Sequence, residues 1–133
     1  MTAVSMLTME WTDDLDVLCS YLSRVDGIDG AVLLGKDGLP LAWGSESLAT
    51  FDTAAPWMLQ SLLDAEEFSR EHELEIPEEQ LSSSHSRFWL CRRIGSSYLV
   101  VQGARGSLEL FHGRIDRCSQ MILQALKQRR LAE

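Results

Sequence analysis

The sequence predicts one small α/β domain, an α+β sandwich with the element order helix, strand, strand, helix, strand, strand, strand, helix. A chain of 133 residues is long enough for one hydrophobic core but too short for two. Three segments carry apolar residues at helical spacing, and the segments between them alternate short apolar runs with turn residues. Two predicted strands, 31–34 and 99–101, are continuously apolar, so we expect helices on both faces of the sheet.

Charge and cysteine content limit the kind of partner and the compartment. The net charge of −8 repels phosphate backbones and anionic lipids, so we expect no nucleic acid partner. The three cysteines are widely spaced in apolar patterns, which is typical of free, buried thiols in a reducing compartment. Residues 1–10 contain no Lys or Arg and no long apolar run, so we expect no secretory signal and no membrane insertion. The expected location is the cytoplasm.

A helix followed by a hairpin opens the predicted domain. The first helix carries apolar residues at steps of three and four: Leu15, Leu18, Leu22 and Val25. Thr12 is its candidate cap and Gly27 its stop. The hairpin has strands at 30–34 and 39–43 around an Asp-Gly turn. Because Pro40 cannot donate a ladder hydrogen bond, the second strand is predicted at the edge of the sheet.

The second predicted helix has a broad apolar arc. Its apolar residues are Ala55, Met58, Leu59, Leu62, Leu63 and Ala65. Asp52 or Thr53 is the candidate cap, which places Pro56 in the first turn. The run from 64 to 79 is strongly acidic and contains Pro77, so the pattern predicts the end of this helix followed by a solvated connection.

Three strands and a last helix complete the pattern. A weak strand at 80–84 is followed by strong strands at 87–94 and 98–102. The last helix carries Leu108, Phe111, Ile115, Cys118, Ile122 and Ala125 at helical spacing. Ser107 is its candidate cap, and basic residues lie at its C-terminus. The pattern divides the chain into a flexible N-terminus at 1–10, a folded domain at 11–127 and a basic tail at 128–133.

This element order, together with segments 25–34, 36–39 and 97–101, resembles the roadblock/dynein light chain family. The family includes bacterial gliding-protein B-type members that pair with Ras-like GTPases. The resemblance implies a five-stranded antiparallel sheet of order 2-1-5-4-3, with the first and third helices on one face and the second on the other. It also implies a homodimer in which the third strand pairs with its twin beside the second helices. The implied dimer residues are Met58, Leu59, Leu62, Leu63, Leu81, Ser82, Ser83 and Ser84.

The function implied by the resemblance is a non-catalytic dimeric scaffold or regulator that binds a small Ras-like GTPase, with stimulation of GTP hydrolysis as one form of regulation. The candidate partner-binding residues are Trp57, Glu66 and Glu67. An exposed tryptophan is a typical interface anchor, and the acidic run suits a basic partner surface, although a solvated face is its simpler interpretation. The alternative is a small-molecule sensor of profilin-like or longin-like architecture, with a pocket lined by Trp43, Trp89 and Tyr98.

Motifs for catalysis or cofactor binding fail on inspection. Gly30 to Asp37 matches most of a P-loop, but its last position is Asp instead of Ser or Thr, and its middle residues form a predicted strand. The three histidines are far apart and have no neighbours at metal-ligand spacing. Ser84 and His85 are adjacent, so in a strand they point to opposite faces. We therefore predict no enzyme activity, no cofactor and no metal.

Overall fold

The computed structural model describes residues 14–44 and 48–132. The first helix, α1, spans Leu15–Ser23. Its cap is Asp14, whose carboxylate accepts hydrogen bonds from the Asp16 and Val17 amides at 3.0 and 3.3 Å. The cap expected from the sequence, Thr12, lies outside the described residues, as does the predicted N-terminal segment 1–10. The cap of α1 is therefore the aspartate immediately before the helix.

Five strands form one antiparallel sheet in the order β2-β1-β5-β4-β3, as the resemblance implied. The strands are β1 (Ile28–Gly35), β2 (Pro40–Trp43), β3 (Glu79–Ser83), β4 (Arg87–Ile94) and β5 (Ser97–Ala104). β2 lies at one end of this order, which confirms the edge position predicted from Pro40. Gly38 makes the β1–β2 turn with a φ of 86°, a conformation that glycine adopts without strain. β3, the weakest strand in the sequence, lies at the other end.

The second helix, α2, spans Leu48–Glu71, and the prediction for its start was wrong. It begins before Asp52, so that Pro56 lies inside the helix and not in its first turn. It also continues through the first half of the acidic run. A proline in a helix costs a hydrogen bond but does not forbid the helix, and glutamate is a good helix former. The helix ends and the connection follows at 72–78, both within the acidic run as predicted.

The last helix, α3, spans Leu108–Ala132 and follows a 3₁₀ turn at Arg105–Ser107. Its apolar spacing agrees with the prediction. The helix also runs through residues 128–132, which the sequence pattern assigned to a basic tail. None of the described helices is long and apolar enough to cross a membrane.

The sheet separates two apolar layers. One layer packs under α1 and α3 and includes Leu33, Phe88 and Leu90. The other packs under α2 and includes Val32, Cys91 and Val100. Because side chains alternate along a strand, neighbouring residues of β4 serve opposite layers. The helices thus cover both faces, as the continuously apolar strands predicted. The cysteines are free thiols buried in these layers.

Candidate interaction surface

The outer edge of β3 is open in the described part of the chain. On its inner side, the Ser84 amide donates to the Arg87 carbonyl at 2.9 Å, and the Arg93 amide donates to the Glu78 carbonyl at 2.8 Å. Backbone groups alternate between the two sides of an antiparallel strand. Three residues therefore point their N–H and C=O groups away from the sheet: Glu79, Leu81 and Ser83. Such an edge is a template for pairing with another strand.

The side chains of β3 are accessible along this edge. Leu81 is 48% exposed, Ser83 and Ser84 are exposed, and Ser82 is half-buried. Leu81 lies opposite Leu90, so its side chain is on the face of the sheet that α3 covers. The β3 residues predicted for a dimer are therefore placed where a second chain could reach them.

A groove of about 730 Å³ runs beside β3 on this same face. It lies between Leu81, the β3–β4 turn at His85 and the start of α3 at Glu109. Arg105 also lines it and donates to the Ser84 carbonyl at 3.2 Å, which ties the start of α3 to the turn. The groove thus borders the open strand edge.

Most of the apolar arc of α2 is buried within the protomer. Met58, Leu59 and Leu62 are buried against the sheet, and Leu63 is only partly buried. They pack on Val32, Leu34 and neighbouring core residues within the same chain. The protomer's own core therefore already covers Met58, Leu59 and Leu62, and their place in a dimer stays a prediction.

A different stripe of α2 faces away from the sheet. It lies on the opposite side of the helix from the buried arc, at helical spacing. We call it the α2 outer face, and its exposed members are Trp57, Gln60, Asp64, Glu67, Phe68 and Glu71. Trp57 and Phe68 are each 55% exposed. The Phe68 ring stacks on His72 with 4.1 Å between ring centroids.

The α2 outer face combines aromatic area with negative charge. Three of its six residues are carboxylates, and exposed Glu73 and Glu75 follow in the connection to β3. Exposed aromatic rings inside a charged rim are characteristic of protein interfaces. The predicted partner residues Trp57 and Glu67 both lie on this face.

Glu66 lies elsewhere, and the expectation that it belongs to a solvated acidic face was wrong. Glu66 is only 2% exposed. Its carboxylate accepts hydrogen bonds from the Tyr98 hydroxyl at 3.0 and 3.2 Å and from the Arg93 guanidinium at 3.3 Å. Arg70 is more distant, at 4.0 Å. A buried charge persists only where it is paired in this way, and Glu66 is therefore unavailable to a partner.

Tyr98 and the two tryptophans assigned to a ligand pocket belong to the α2 side of the core. Tyr98 is buried, and Trp43 and Trp89 pack against the same layer. Burial and the neighbouring Glu66 carboxylate raise the pKa of Tyr98 to about 12. The Trp89 indole donates to the Gln102 side chain at 3.1 Å. The groove beside β3 is lined by other residues, so these three side chains give the sensor hypothesis no support.

The described residues do not bring the candidate catalytic or metal-binding side chains together into a site. The segment that resembles a P-loop begins inside β1 and ends in the turn after it. The Ser84 hydroxyl contacts the backbone of Arg87 at 3.3 and 3.5 Å instead of a histidine. No group of three or more His, Cys, Asp or Glu side chains in these ranges is arranged to hold a metal ion.

Comparison with known proteins identifies the fold. No protein-family model and no curated protein matches the chain by sequence. Among solved structures, MglB from Myxococcus xanthus superposes with a TM-score of 0.76 at 15% identity, over 86% of this chain and 95% of that one. The roadblock/LC7 domain from Streptomyces avermitilis gives 0.63 at 20% identity, over 90% and 97%. The gliding protein MglB from Thermus thermophilus gives 0.68 at 17%, over 86% and 89%. The chain has the roadblock/LC7 fold.

Proposed function

We propose that this chain is a non-catalytic, homodimeric regulator that binds a small Ras-like GTPase. The observation that carries the proposal is an open β3 edge together with an exposed aromatic and acidic α2 outer face on a roadblock/LC7 fold. The family that the sequence resembles includes bacterial gliding-protein B-type members, and the resemblance implies pairing with such GTPases. The structural neighbours from Myxococcus and Thermus are both MglB proteins, and the Thermus protein is a gliding protein by name.

The dimer in this proposal forms by strand addition. Two copies of β3 pair antiparallel through the outward backbone groups of Glu79, Leu81 and Ser83, so that two five-stranded sheets continue as one. This pairing removes an open edge, which is otherwise an aggregation hazard. A two-fold axis perpendicular to the sheet would keep both α2 helices on the same face. The two α2 outer faces then form one continuous docking surface for the GTPase.

The chemistry of that docking surface selects its partner. Trp57 supplies an apolar anchor, and Asp64, Glu67 and Glu71 supply negative charge around it. A basic region beside an apolar pocket on the GTPase is the complementary surface. Because these carboxylates are exposed, they accelerate association more than they tighten the complex, and salt weakens their effect.

The test is direct binding to the Ras-like GTPase encoded nearest to this chain in its genome. Binding is measured by calorimetry with the GTPase in its GDP form and with a non-hydrolysable GTP analogue, and GTP turnover is measured in parallel. We expect Trp57→Ala to weaken the affinity about tenfold or more. Leu39→Ala is the matched control, because Leu39 is an exposed apolar residue beside β2, at the opposite end of the sheet. The absence of association in both nucleotide states would overturn the proposal.

A further inference from the structure

We propose that Arg93 is a positioning residue that fixes the α2 outer face and the β3 edge relative to each other. The inference rests on the proposed function, because it assigns a role to a residue that lies behind both parts of the proposed interaction surface. Arg93 stands on β4, on the face of the sheet that α2 covers, and its side chain is 29% exposed. It lies between the two elements that carry the surface.

Arg93 contacts both α2 and the last residues of the connection between α2 and β3. Its guanidinium donates to the Glu66 carboxylate on α2 at 3.3 Å, and the same nitrogen donates to the Pro77 carbonyl at 3.3 Å. Its backbone amide donates to the Glu78 carbonyl at 2.8 Å. One residue therefore holds the helix before the connection and the backbone that enters β3.

Glu66, the α2 residue that Arg93 contacts, is also held by a residue of β5. Glu66 is the charged side chain that is buried in the described part of the chain, and the Tyr98 hydroxyl holds it from β5. Its neighbours Glu67 and Phe68 belong to the α2 outer face, so fixing Glu66 also fixes the rotation of that face about the helix axis. The contacts of Glu66 with Arg93 and Tyr98 thus set the direction in which the α2 outer face points.

A purely structural role explains this arrangement poorly. A buried ion pair commonly contributes no more stability than apolar side chains of the same volume, because desolvation of both charges offsets their attraction. The best-attested gain from such a pair is one defined arrangement of the elements it joins. Here those elements are the two parts of a proposed surface, and the connection between them at 72–78 has mostly exposed residues.

Hydrogen exchange followed by mass spectrometry tests the inference on the full chain. Arg93→Met alone leaves the buried Glu66 carboxylate without its principal cation, which can unfold the protein. The test variant is therefore Glu66→Gln with Arg93→Met, in which no buried charge remains and the glutamine oxygen still accepts from Tyr98. We expect the amides of 67–78 to exchange about tenfold faster or more, while those of β1 and β5 keep their protection.

Two controls separate positioning from general stability. Arg87→Met removes another β4 arginine, whose ion pair with Asp29 is 3.2 Å long and touches neither α2 nor the connection. We expect exchange at 67–78 to be unchanged in this variant. Arg93→Lys, with Glu66 unchanged, keeps a cation beside the carboxylate. We expect exchange at 67–78 to be slower in this variant than in the double variant. Uniformly faster exchange throughout the double variant, or unchanged exchange at 67–78, would overturn the inference.

Self-association of the same variants distinguishes the inference from the function on which it rests. By sedimentation equilibrium, we expect the double variant to dimerise about tenfold more weakly than the natural chain, and Arg87→Met to dimerise equally well. If the natural chain is monomeric, the proposed dimer fails, but the exchange experiment still decides the role of Arg93. If the natural chain dimerises and the double variant dimerises with the same affinity, the positioning role is excluded while the proposed function stands.

Discussion

At the scale of single residues, two glycines experience opposite surroundings. A Cβ at Gly44, just after β2, would lie 2.0 Å from the backbone carbonyl carbon and oxygen of Cys19 in α1. A Cβ at Gly113, on the exposed side of α3, would meet no atom within 4 Å. The first glycine allows α1 and the end of β2 to touch, and the second only lowers the helix propensity of α3.

The same substitution should therefore have opposite effects at these positions. We expect Gly44→Ala to lower the free energy of unfolding by about 2 kcal/mol or more, because backbone must move to admit the methyl group. We expect Gly113→Ala to raise it by about 0.5 to 1 kcal/mol. Urea denaturation of both variants measures the two changes. Equal effects of the same sign would contradict the close packing of α1 against β2.

Single residues are also where sequence reasoning reached its limit. Glu66 stands among acidic neighbours and has the composition of a solvated surface, yet it is buried. Its partners Arg93 and Tyr98 are 27 and 32 positions away along the chain. No local pattern links residues at such distances. The helical spacing of Glu66 from the buried Leu62 and Leu59 was the available signal, since all three lie on one side of α2.

At the scale of elements, strands were easier to predict than the start of α2. Apolar runs bounded by Asp37-Gly38 and Gly95 marked β1, β4 and β5, and Pro40 marked an edge strand. These signals act over a few residues. The start of α2 was missed because Pro56 is favourable in a first turn but is also tolerated further inside a helix. Its end was placed only within the run 64–79, because an acidic run is compatible with an exposed helix as well as with a loop.

The open edge of β3 yields a prediction about this element. The Ser83 amide points away from β4, so proline at this position should remove an outward donor while preserving the β3–β4 ladder. We expect Ser83→Pro to convert the proposed dimer to a monomer in sedimentation equilibrium. Ser83→Ala keeps the amide and should remain dimeric. A dimer of unchanged affinity in the proline variant, with normal circular dichroism, would exclude strand addition at β3.

At the scale of the whole molecule, the buried cysteine thiols make the stability of the fold depend on pH in the alkaline range. Burial raises the pKa of the Cys19 and Cys91 thiols from 9.0 to about 12 and raises that of Cys118 as well. These thiols lie in both core layers. Cys19 and Cys118 lie in the layer under α1 and α3, and Cys91 lies in the layer under α2. Because all three thiols are buried, ionising any of them in the folded chain would place a charge inside the core.

The sign of the pH dependence follows from proton binding. Above pH 9.0, the ordinary value for these thiols, the unfolded chain releases protons that the folded chain retains. The unfolded state then binds fewer protons, so stability falls as pH rises. The thiol contribution is fully present below pH 9.0 and is lost progressively toward about pH 12. Each thiol removes up to about 1.4 kcal/mol per pH unit within this window.

Urea midpoints measured at a series of pH values from about 8 to 10.5 test this linkage across the chain. We expect the midpoint to be nearly constant at the lower end of the series and to fall steeply above pH 9.0. Cys91→Ala lowers the midpoint at every pH because it leaves a small cavity, but it removes one ionising group and should make the decline shallower. A flat profile over the whole series would mean that the thiols ionise as readily in the folded chain as in the unfolded one, which would contradict their burial in both core layers.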